Sequence, residues 1–280
     1  MNCLPGDYPW ADRFTYFEEI GSTNDTLRTL AKQGAPHGTV VMADRQTGGH
    51  GRLGRSFHSP GGMGIYLSML LRPDCVPAEL MHLTCATAEA MCDAVAAATG
   101  LRPGIKWTND LVWEKKNLGG ILTELGFTPQ GKVAYAIIGI GINCCQKEED
   151  FAPEIRKIAG SLSMAVGKPV ERAVVAAAMM EQLWKMDARL LTGKEEMLRA
   201  YRSDCVTIGQ DISLVRCDEI RHGHALDVDS DGALVVSFAD GHTETVNSGE
   251  VSVRGMYGYI WPFSTIYKKG YCFFLILWLY

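Results

Sequence analysis

The sequence lacks the cysteine pattern of a structural zinc site, because none of its nine cysteines form a C-x-x-C pair. It also lacks the pattern of a signal peptide, since Pro5, Asp7, Pro9 and Asp12 interrupt the start of the chain. Thiols without such partners are typical of a reducing compartment. We therefore expect a cytoplasmic protein whose cysteines are reduced and mostly buried.

An excess of positive charge is absent as well. The net charge of −5 argues against nucleic acid as the main partner, because phosphate backbones select basic surfaces. Hydrophobic residues make up 47% of the chain and charged residues 21%, which is typical of a globular protein rather than a disordered one. The 280 residues are enough for a large core and two domains.

A hydrophobic run long enough to span a membrane is also missing. The segment from Tyr271 to Tyr280 is almost wholly apolar but short, whereas a membrane helix needs about twenty such residues. Lys268 and Lys269 interrupt any longer run. The sequence thus predicts no membrane partner, and we interpret 261–280 as an atypical apolar tail that would favour aggregation if exposed.

What the chain does contain is a segment rich in glycine and arginine, from Gly48 to Arg55, with the sequence GGHGRLGR. It follows a predicted strand over Thr39 to Gln46. Glycines let a backbone approach a ligand closely, and successive N–H groups can form an anion site. Arg52 and Arg55 add forked donors that suit phosphate or carboxylate. This pattern predicts a loop that binds an anion.

Two other interpretations of this loop fit less well. Gly49, Gly51 and Gly54 match the dinucleotide fingerprint G-x-G-x-x-G, and Asp74 lies about twenty residues further on. That fingerprint requires a helix directly after the glycines, which Pro60 and three further glycines exclude. A surface loop without a ligand is the simpler alternative, and the two arginines disfavour it.

Hydrophobic periodicity predicts strands and helices on both sides of the loop. The predicted strands are Phe14 to Ile20, Gly64 to Leu71 and Val133 to Asn143, and the predicted helices are Ser22 to Gln33, Pro77 to Ala98, most of Glu149 to Leu191, and Glu195 to Asp204. Ser22, Thr23 and Asn24 begin the first of these helices. They either cap the helix or line a pocket beside the end of the strand.

A second polar cluster follows a short predicted strand over Ile105 to Trp107. The turn 108–110 leads into a predicted hairpin with strands over 111–113 and 118–125. The polar residues near this place are Lys106, Asn109, Asp110, Lys115 and Lys116. Asp110 is near enough in sequence to pair with Lys106, whereas Lys115 is equally well explained as solvated surface.

From about Cys205 the pattern changes to short strands, with Asp231-Gly232 and Asp240-Gly241 as hairpin signals. This predicts a small all-β meander or barrel, separate from the first domain. We therefore divide the chain into a first domain (1–204), a small β-barrel domain (205–260) and the tail (261–280).

Taken together, these motifs resemble those of the biotin protein ligase family, also called biotin–[acetyl-CoA-carboxylase] ligase. The resemblance covers nearly all of 14–259. It rests on the following motifs in the family's order: Ser22-Thr23-Asn24, Gln46 with the loop 48–55, Lys106-Trp107-Thr108-Asn109-Asp110, Gly120-Ile121-Leu122-x-Glu124 and Gly139-x-Gly141-x-Asn143. Each motif alone is weak, but their order and spacing together are specific.

The resemblance implies an α+β fold: a mixed-sheet catalytic domain of the biotin/lipoate ligase type, with helices on one side, plus a small C-terminal SH3-like β-barrel. It also implies an ATP-dependent ligase that uses Mg²⁺ and forms biotinyl-5′-AMP and pyrophosphate. A lysine of a biotin carboxyl carrier protein (an acetyl-CoA carboxylase subunit), or of another biotin-accepting domain, then attacks the mixed anhydride. Some family members are homodimers, so the resemblance allows that state too.

The resemblance also implies roles for individual residues. Those that correspond to the biotin site are Ser22, Thr23, Asn24, Gln46, His50, Gly51, Arg52 and Asn117. Those that correspond to the ATP and adenylate site are Arg52, Arg55, Trp107, Asn109 and Asn143. The expected catalytic residues are Arg52, Lys106 and Lys116, and Asp110 is a candidate either for a metal or for orienting Lys106.

Two departures from the family pattern concern this site. His50 stands where the family usually has arginine, and it is a shorter donor whose charge depends on pH. Asn117 stands where the family has its active-site lysine, three residues before Gly120. A slip of one residue at the tip of the hairpin would present Lys116 instead. Otherwise the role of that lysine is vacant, and adenylation should be slower.

Two alternatives follow from the same motifs, and repressor activity is a separate question. A lipoate–protein ligase shares the fold and the adenylate chemistry, but the glycine-arginine loop and the Lys-Trp-x-Asn-Asp motif favour biotin. His50 and Asn117 make a non-catalytic biotin-binding module conceivable. Some family members also carry an N-terminal DNA-binding domain and repress transcription. Because about a dozen residues precede the first predicted strand here, we expect an enzyme without repressor activity.

Overall fold

The first domain contains a seven-stranded sheet. The computed structural model describes residues 8–216, 219–247 and 250–253, and the predicted tail lies outside them. The strands are β1 (Phe14–Ile20), β2 (Thr39–Gln46), β3 (Gly64–Leu71), β4 (Gly104–Lys106), β5 (Asp110–Trp113), β6 (Lys116–Phe127) and β7 (Val133–Asn143). Their spatial order is β1-β2-β3-β7-β6-β5-β4. β1 and β2 are parallel and the other neighbours antiparallel, so the sheet is mixed, as predicted.

The centre of this sheet is formed by β3 and β7, whose sequences are the longest apolar runs among the strands. All eight residues of β3 are buried, and β7 pairs with β3 on one side and β6 on the other. The sequence of a strand that is covered on both faces is continuously apolar, whereas a strand covered on one face alternates apolar and polar residues. This explains why their bounds could be predicted from hydrophobicity alone.

Five α-helices cover the sheet within the described residues. They are α1 (Thr23–Lys32), α2 (Leu83–Thr99), α3 (Leu162–Val166), α4 (Arg172–Arg189) and α5 (Lys194–Asp204). The long helices α2 and α4 pack on one face, which carries the larger core. α1 packs on the opposite face, where its Leu27 contacts the group formed by Val41, Leu70 and Ile137. The prediction of helices on one side therefore describes the long helices, and α1 is the exception.

The predicted helix between Glu149 and Gly160 is not formed. This segment is a series of turns, and α3 begins only after Ser161, whose hydroxyl accepts from the backbone N–H of Met164 at 3.2 Å. The backbone of Asn117 in β6 explains the difference. Its N–H donates to Ile158 O at 2.6 Å, and its carbonyl accepts from Gly160 N at 2.9 Å. Single turns do form within the segment, as Arg156 N donates to Ala152 O at 3.0 Å and Ala159 N to Ile155 O at 2.7 Å, but its end pairs with the edge of the hairpin instead of continuing as a helix.

The second domain is a five-stranded antiparallel sheet. Its strands are β8 (Asp211–Arg216), β9 (Glu219–Val228), β10 (Leu234–Phe238), β11 (Thr243–Val246) and β12 (Glu250–Val253), in the order β11-β10-β9-β8-β12. Both predicted hairpin turns are confirmed, since Gly232 and Gly241 take φ angles of 86° and 87° between paired strands. A small all-β domain is therefore present, and its closure into an SH3-like barrel stays a prediction.

Two further features can be stated of the described part of the chain. Its six cysteines are free, and five of them are buried. No helix among the described residues is long and apolar enough to cross a membrane.

Glu89 is a carboxylate of α2 that is only 6% exposed. Burial, and then the neighbouring charge of Asp93, raise the pKa of Glu89 to about 7 from 4.5. The native state therefore binds this proton more tightly than the unfolded chain does. The contribution of Glu89 to stability is fully present below about pH 4.5 and is lost as the pH rises through about 7.

Replacing Glu89 by glutamine should remove this pH dependence. Above about pH 7, the free energy of unfolding of Glu89→Gln should exceed that of the wild type by about 2 kcal/mol. Each pKa unit corresponds to about 1.4 kcal/mol, and the expected gain is smaller than the full shift implies because Asp93 shares the proton. Below about pH 4.5 the two proteins should be equal. Urea denaturation at several pH values measures the difference. Glu181→Gln, which alters an exposed pair with Lys185, is the control, and an equal gain in that variant would contradict the account.

Candidate active site

A cavity of about 290 Å³ lies on the face of the first sheet that also carries α1. It is bounded by the start of α1, the glycine-arginine loop, the turn after β4, and β6 and β7. Thirteen of the predicted site residues line it: Ser22, Thr23, Asn24, Gln46, His50, Gly51, Arg52, Arg55, Lys106, Trp107, Asn109, Asp110 and Asn117. Motifs that are far apart in the sequence therefore meet at one place.

One end of the cavity is polar but uncharged. Ser22, Thr23 and Asn24 are each 4% exposed at the start of α1. Ser22 is also the N-cap of that helix, as its hydroxyl accepts from Asp25 N at 3.5 Å, so capping and pocket lining are combined. Gln46, at the end of β2, accepts the backbone N–H of Thr23 at 2.9 Å. These contacts fix the side chains before any ligand arrives.

The glycine-arginine loop is held in shape mainly by its own backbone. Gly51 N donates to Arg55 O at 2.8 Å, Arg55 N to Arg52 O at 3.2 Å, and Phe57 N to Gly49 O at 2.8 Å. The sequence predicted that successive N–H groups of the loop would bind an anion. The N–H groups of Gly51 and Arg55 bond within the loop and that of Phe57 bonds back to it, so these three are not donors for an anion. Anion binding by the other N–H groups of the loop stays a prediction, and the arginine side chains add to it.

Arg52 is tethered to the hairpin across the cavity. Its guanidinium donates to Asn109 Oδ1 at 2.7 Å. Asn109 is itself fixed to Ile121 of β6 by two hydrogen bonds of 3.0 Å. Its side-chain nitrogen donates to Ile121 O, and its backbone carbonyl accepts from Ile121 N. A neutral side chain thus positions this cation over the cavity.

Lys106 and Trp107 lie at the cationic end beside Asp110. The Lys106 ammonium is 3.9 Å from an Asp110 carboxylate oxygen, and its side chain is 12% exposed. The pairing that the sequence predicted is therefore present. Trp107 is anchored by the second domain, since its backbone N–H donates to Thr207 Oγ1 and its indole N–H to Gly232 O, both at 2.9 Å. The second domain thus fixes a wall of the cavity.

Glycines in β7 clear the floor of the cavity. A Cβ on Gly139 would overlap the amide of Asn24, and one on Gly141 would lie 2.5 Å from the ring of Phe57. Opposite them on β6 lie Leu122 and Gly120, which also line the cavity. Close approach of other groups to this strand is what its Gly-x-Gly motif allows.

Two predicted site residues are not brought to the cavity. Lys116 pairs with Trp113 at the hairpin end, and its ammonium donates to Arg156 O at 2.9 Å, away from the lining. The turn is the two residues between Trp113 and Lys116, and the register of β5 and β6 shifts by one residue between Leu111 and Val112. With this register Asn117, and not Lys116, lines the cavity. Asn143, at the end of β7, accepts from Gln146 Nε2 at 3.1 Å and lies outside the lining.

The comparisons with known proteins agree with this geometry. The model of the biotin/lipoate A/B protein ligase family matches residues 16–143, and that of the biotin protein ligase C-terminal domain matches 207–254. The bifunctional ligase/repressor BirA of Bacillus spizizenii is 37% identical over 227 residues, which are 81% of this chain and 70% of that protein. This chain belongs to the biotin protein ligase family.

Two further relatives of this biotin protein ligase chain cover most of its length. The biotin–[acetyl-CoA-carboxylase] ligase of Mycobacterium tuberculosis is 30% identical, over 83% of this chain and 86% of that one. The solved structure of the Aquifex aeolicus biotin protein ligase in complex with biotin and ATP has a TM-score of 0.71 and 28% identity. The match covers 86% of this chain and 98% of the Aquifex chain.

Sequence reasoning missed several residues of the ligase cavity. They are Ser56, Phe57, Gly119, Gly120, Ile121, Leu122, Gly139, Ile140, Gly141 and Val251. Gly139 and Gly141 belong to a motif that the resemblance places near the adenosine, whereas Gly120 belongs to a motif that was recognised but given no role. Val251 could not have been found from local sequence, because it comes from β12 of the second domain. His50 lies with Nε2 3.9 Å from Asp25 Oδ1 and Nδ1 3.2 Å from Gly48 O.

Asp110 fits a metal ion that arrives with a nucleotide. Within the described ranges there is no group of three or more His, Cys, Asp or Glu side chains that could hold an ion by themselves. Mg²⁺ commonly binds through one or two carboxylates together with substrate phosphates. The carboxylate of Asp110 on the cavity lining meets that requirement.

Substituting Gly139 should disturb the packing behind the cavity. In Gly139→Ala the new methyl group would overlap Asn24, which cannot move without breaking hydrogen bonds to Ser68 and Glu124. We expect the free energy of unfolding to fall by about 1–3 kcal/mol. Gly21→Ala is the control, because no atom lies within 4 Å of its added Cβ, and it should change by less than about 0.5 kcal/mol. Equal effects in a denaturation series would contradict this packing.

Proposed function

We propose that this chain is an ATP-dependent biotin ligase. It joins biotin to AMP, releases pyrophosphate, and transfers biotin to a lysine of a biotin carboxyl carrier protein or another biotin-accepting domain. The relatives named above are ligases of this kind, and the Aquifex structure holds biotin and ATP. The division of the cavity into an uncharged polar end and a cationic end carries the proposal for this chain's own residues.

The uncharged end suits the bicyclic head of biotin. The ureido group of biotin has two N–H donors and one carbonyl acceptor and carries no charge. Hydroxyl and amide side chains match such a group, because each can donate or accept a hydrogen bond. The residues proposed to hold biotin along its whole length, from the ureido group to the carboxylate, are Ser22, Thr23, Asn24, Gln46, His50, Gly51, Arg52 and Asn117, of which Arg52 belongs to the cationic end.

The cationic end suits the reacting groups of the first step. An oxygen of the biotin carboxylate attacks the α-phosphorus of ATP, the bond to the β-phosphate oxygen breaks, and pyrophosphate leaves with that electron pair. Both partners are anions that repel one another, so fixed cations are needed to hold them in contact. We assign this role to Arg52 and Lys106. A fixed donor of this kind typically contributes about 2.7–4 kcal/mol to transition-state stabilisation.

The remaining lining residues hold the nucleotide. Arg55, Trp107 and Asn109 are proposed to contact the adenylate, and Asp110 is proposed to hold the Mg²⁺ that accompanies ATP. Bound there, Mg²⁺ would neutralise phosphate charge. Asn143 lies outside the lining, so it reaches the adenosine only if the end of β7 moves.

The second step needs only an attacking amine. The neutral ε-amine of the carrier lysine attacks the carbonyl carbon of biotinyl-5′-AMP, AMP leaves with the electrons of the anhydride bond, and the nitrogen releases one proton to solvent as the amide forms. Arg52 then stabilises the charge on the departing phosphate. We further propose a cytoplasmic location, which the free cysteines of the described residues support, and the homodimer stays a prediction from the family resemblance.

Mixing the protein with biotin and MgATP tests the proposed function. We expect release of pyrophosphate that depends on biotin and approaches one equivalent per chain before carrier is added. Lipoate in place of biotin should give no release, because its dithiolane ring cannot satisfy the amide and hydroxyl groups of the uncharged end. Release with lipoate alone would identify a lipoate ligase. Binding of biotin without release would identify a binding module, and either result would overturn the proposal.

Lys106 and Lys116 provide a matched pair of variants for the cationic end. Lys106→Met should slow single-turnover pyrophosphate release about 100-fold, because a cation beside the reacting phosphate is lost. Lys116→Met removes the same charge from the neighbouring hairpin but should stay within about threefold, since its ammonium binds the Arg156 carbonyl outside the cavity. The reverse order of effects would show that Lys116 reaches the substrate and Lys106 does not.

A further inference from the structure

The connection between α5 and β8 lies along the outer edge of β4, the last strand of the first sheet. Ile105 of β4 forms a parallel bridge with Cys205, and Val206 N donates to Ile105 O at 2.9 Å. The next residue of the connection, Thr207, accepts the backbone N–H of Trp107 on its hydroxyl oxygen at 2.9 Å. Thr207 is fully buried and Trp107 is 4% exposed, so water has little access to this bond.

Two more groups from the later part of the chain hold the same place. Gly232 O accepts the indole N–H of Trp107 at 2.9 Å. The hydroxyl of Tyr201, which is fully buried, donates to Thr108 O at 3.2 Å. The end of β4 and the turn that follows it are therefore fixed from outside the first sheet, and Thr207 is the one of these three groups that holds the backbone of Trp107.

The residues on either side of Trp107 belong to the cationic end of the cavity. Lys106 precedes it on β4, and the turn continues with Asn109 and Asp110. Asn109 Oδ1 accepts from the Arg52 guanidinium at 2.7 Å, and the Asp110 carboxylate lies 3.9 Å from the Lys106 ammonium. A shift of the Trp107 backbone is therefore transmitted to both cations that we assign to the reacting anions.

The hydroxyl of Thr207 determines how closely the connection approaches β4. The hydrogen bond holds the Trp107 nitrogen 2.9 Å from the Thr207 oxygen, whereas a methyl carbon packs against its neighbours at about 3.5 Å or more. Thr207→Val keeps the shape of the side chain, but it should push the Trp107 nitrogen away by about 0.5 Å and leave its hydrogen without an acceptor. A misplacement of about 1 Å can slow a reaction about 100-fold, so this smaller shift should cost about tenfold.

We propose that Thr207 is a positioning residue whose hydroxyl sets the cationic end of the cavity against the reacting phosphate, so that it controls the rate of adenylation and not the affinity for biotin. This inference rests on the proposed function and adds to it a residue from outside the first sheet. Thr207 lies outside the cavity lining, so it acts on the substrates only through Trp107 and the turn. A merely structural Thr207 would contribute to the free energy of unfolding and leave the adenylation rate of the folded protein unchanged.

Single-turnover release of pyrophosphate at saturating biotin and MgATP, together with calorimetric binding of biotin, tests the inference. Thr207→Val should release pyrophosphate at least about tenfold more slowly than the wild type, because both cations are displaced. Its Kd for biotin should stay within about twofold of the wild-type value, because contacts between α1 and β2 fix the uncharged end.

Three further variants separate positioning from a structural role. Thr207→Ser keeps the hydroxyl, so its release rate should stay within about twofold of the wild type. Thr87→Val removes the hydroxyl of another fully buried threonine, which donates to Leu83 O at 2.8 Å in α2, and it should also keep the wild-type rate. Thr207→Ala removes the acceptor without introducing a methyl group in its place. It should slow release at least about fivefold, and it gives an answer if Thr207→Val fails to fold.

Three results would overturn the inference. One is a wild-type release rate in Thr207→Val, or in Thr207→Ala if the valine variant does not fold. Another is a loss of biotin affinity as large as the loss of rate. The third is a Thr207→Ser protein as slow as Thr207→Val. In each case the wild type still releases pyrophosphate and the proposed function stands, whereas a wild type without release would end both.

Discussion

The Arg52 guanidinium, held against Asn109 across the cavity, is the interaction on which the rest of the site depends. Two negative charges at 4 Å repel by about 4 kcal/mol at the effective dielectric of a partly buried site. A fixed cation can offset most of that cost, whereas a mobile one would first lose side-chain entropy of its own. Asn109 limits that loss because Ile121 of β6 holds it through two hydrogen bonds.

The remainder of the fold supplies surfaces around this cation. Glycines in β7 open the floor, and α1 places three small polar side chains beside it on the same face of the sheet. The second domain is part of the site as well. Val251 lines the cavity, and the carbonyl of Gly232 fixes the indole of Trp107. If the packing between the two sheets loosened, the cationic end of the cavity would therefore be disturbed first and the uncharged end later.

Most strands, the long helices and the placement of the glycine-arginine loop could be predicted, since apolar runs and turn residues are local signals. The direction of Lys116 could not. Neighbouring residues of a strand point to opposite faces, so one residue of register decides which side chain meets the cavity. Val251 and the pairing of Asn117 with 158–160 depend on contacts between distant segments. The internal bonds of the Gly51 and Arg55 N–H groups could not be predicted, because sequence does not show which backbone groups a loop pairs within itself.

A crystal structure with biotinyl-5′-AMP bound tests the central claim most directly, because the adenylate carries both the ureido group and the phosphate. The account predicts the phosphate within hydrogen-bond distance of Arg52 and near Lys106, with the ureido group beside Thr23 and Gln46. A phosphate remote from Arg52, or a ureido group at the Lys106 end, would contradict it.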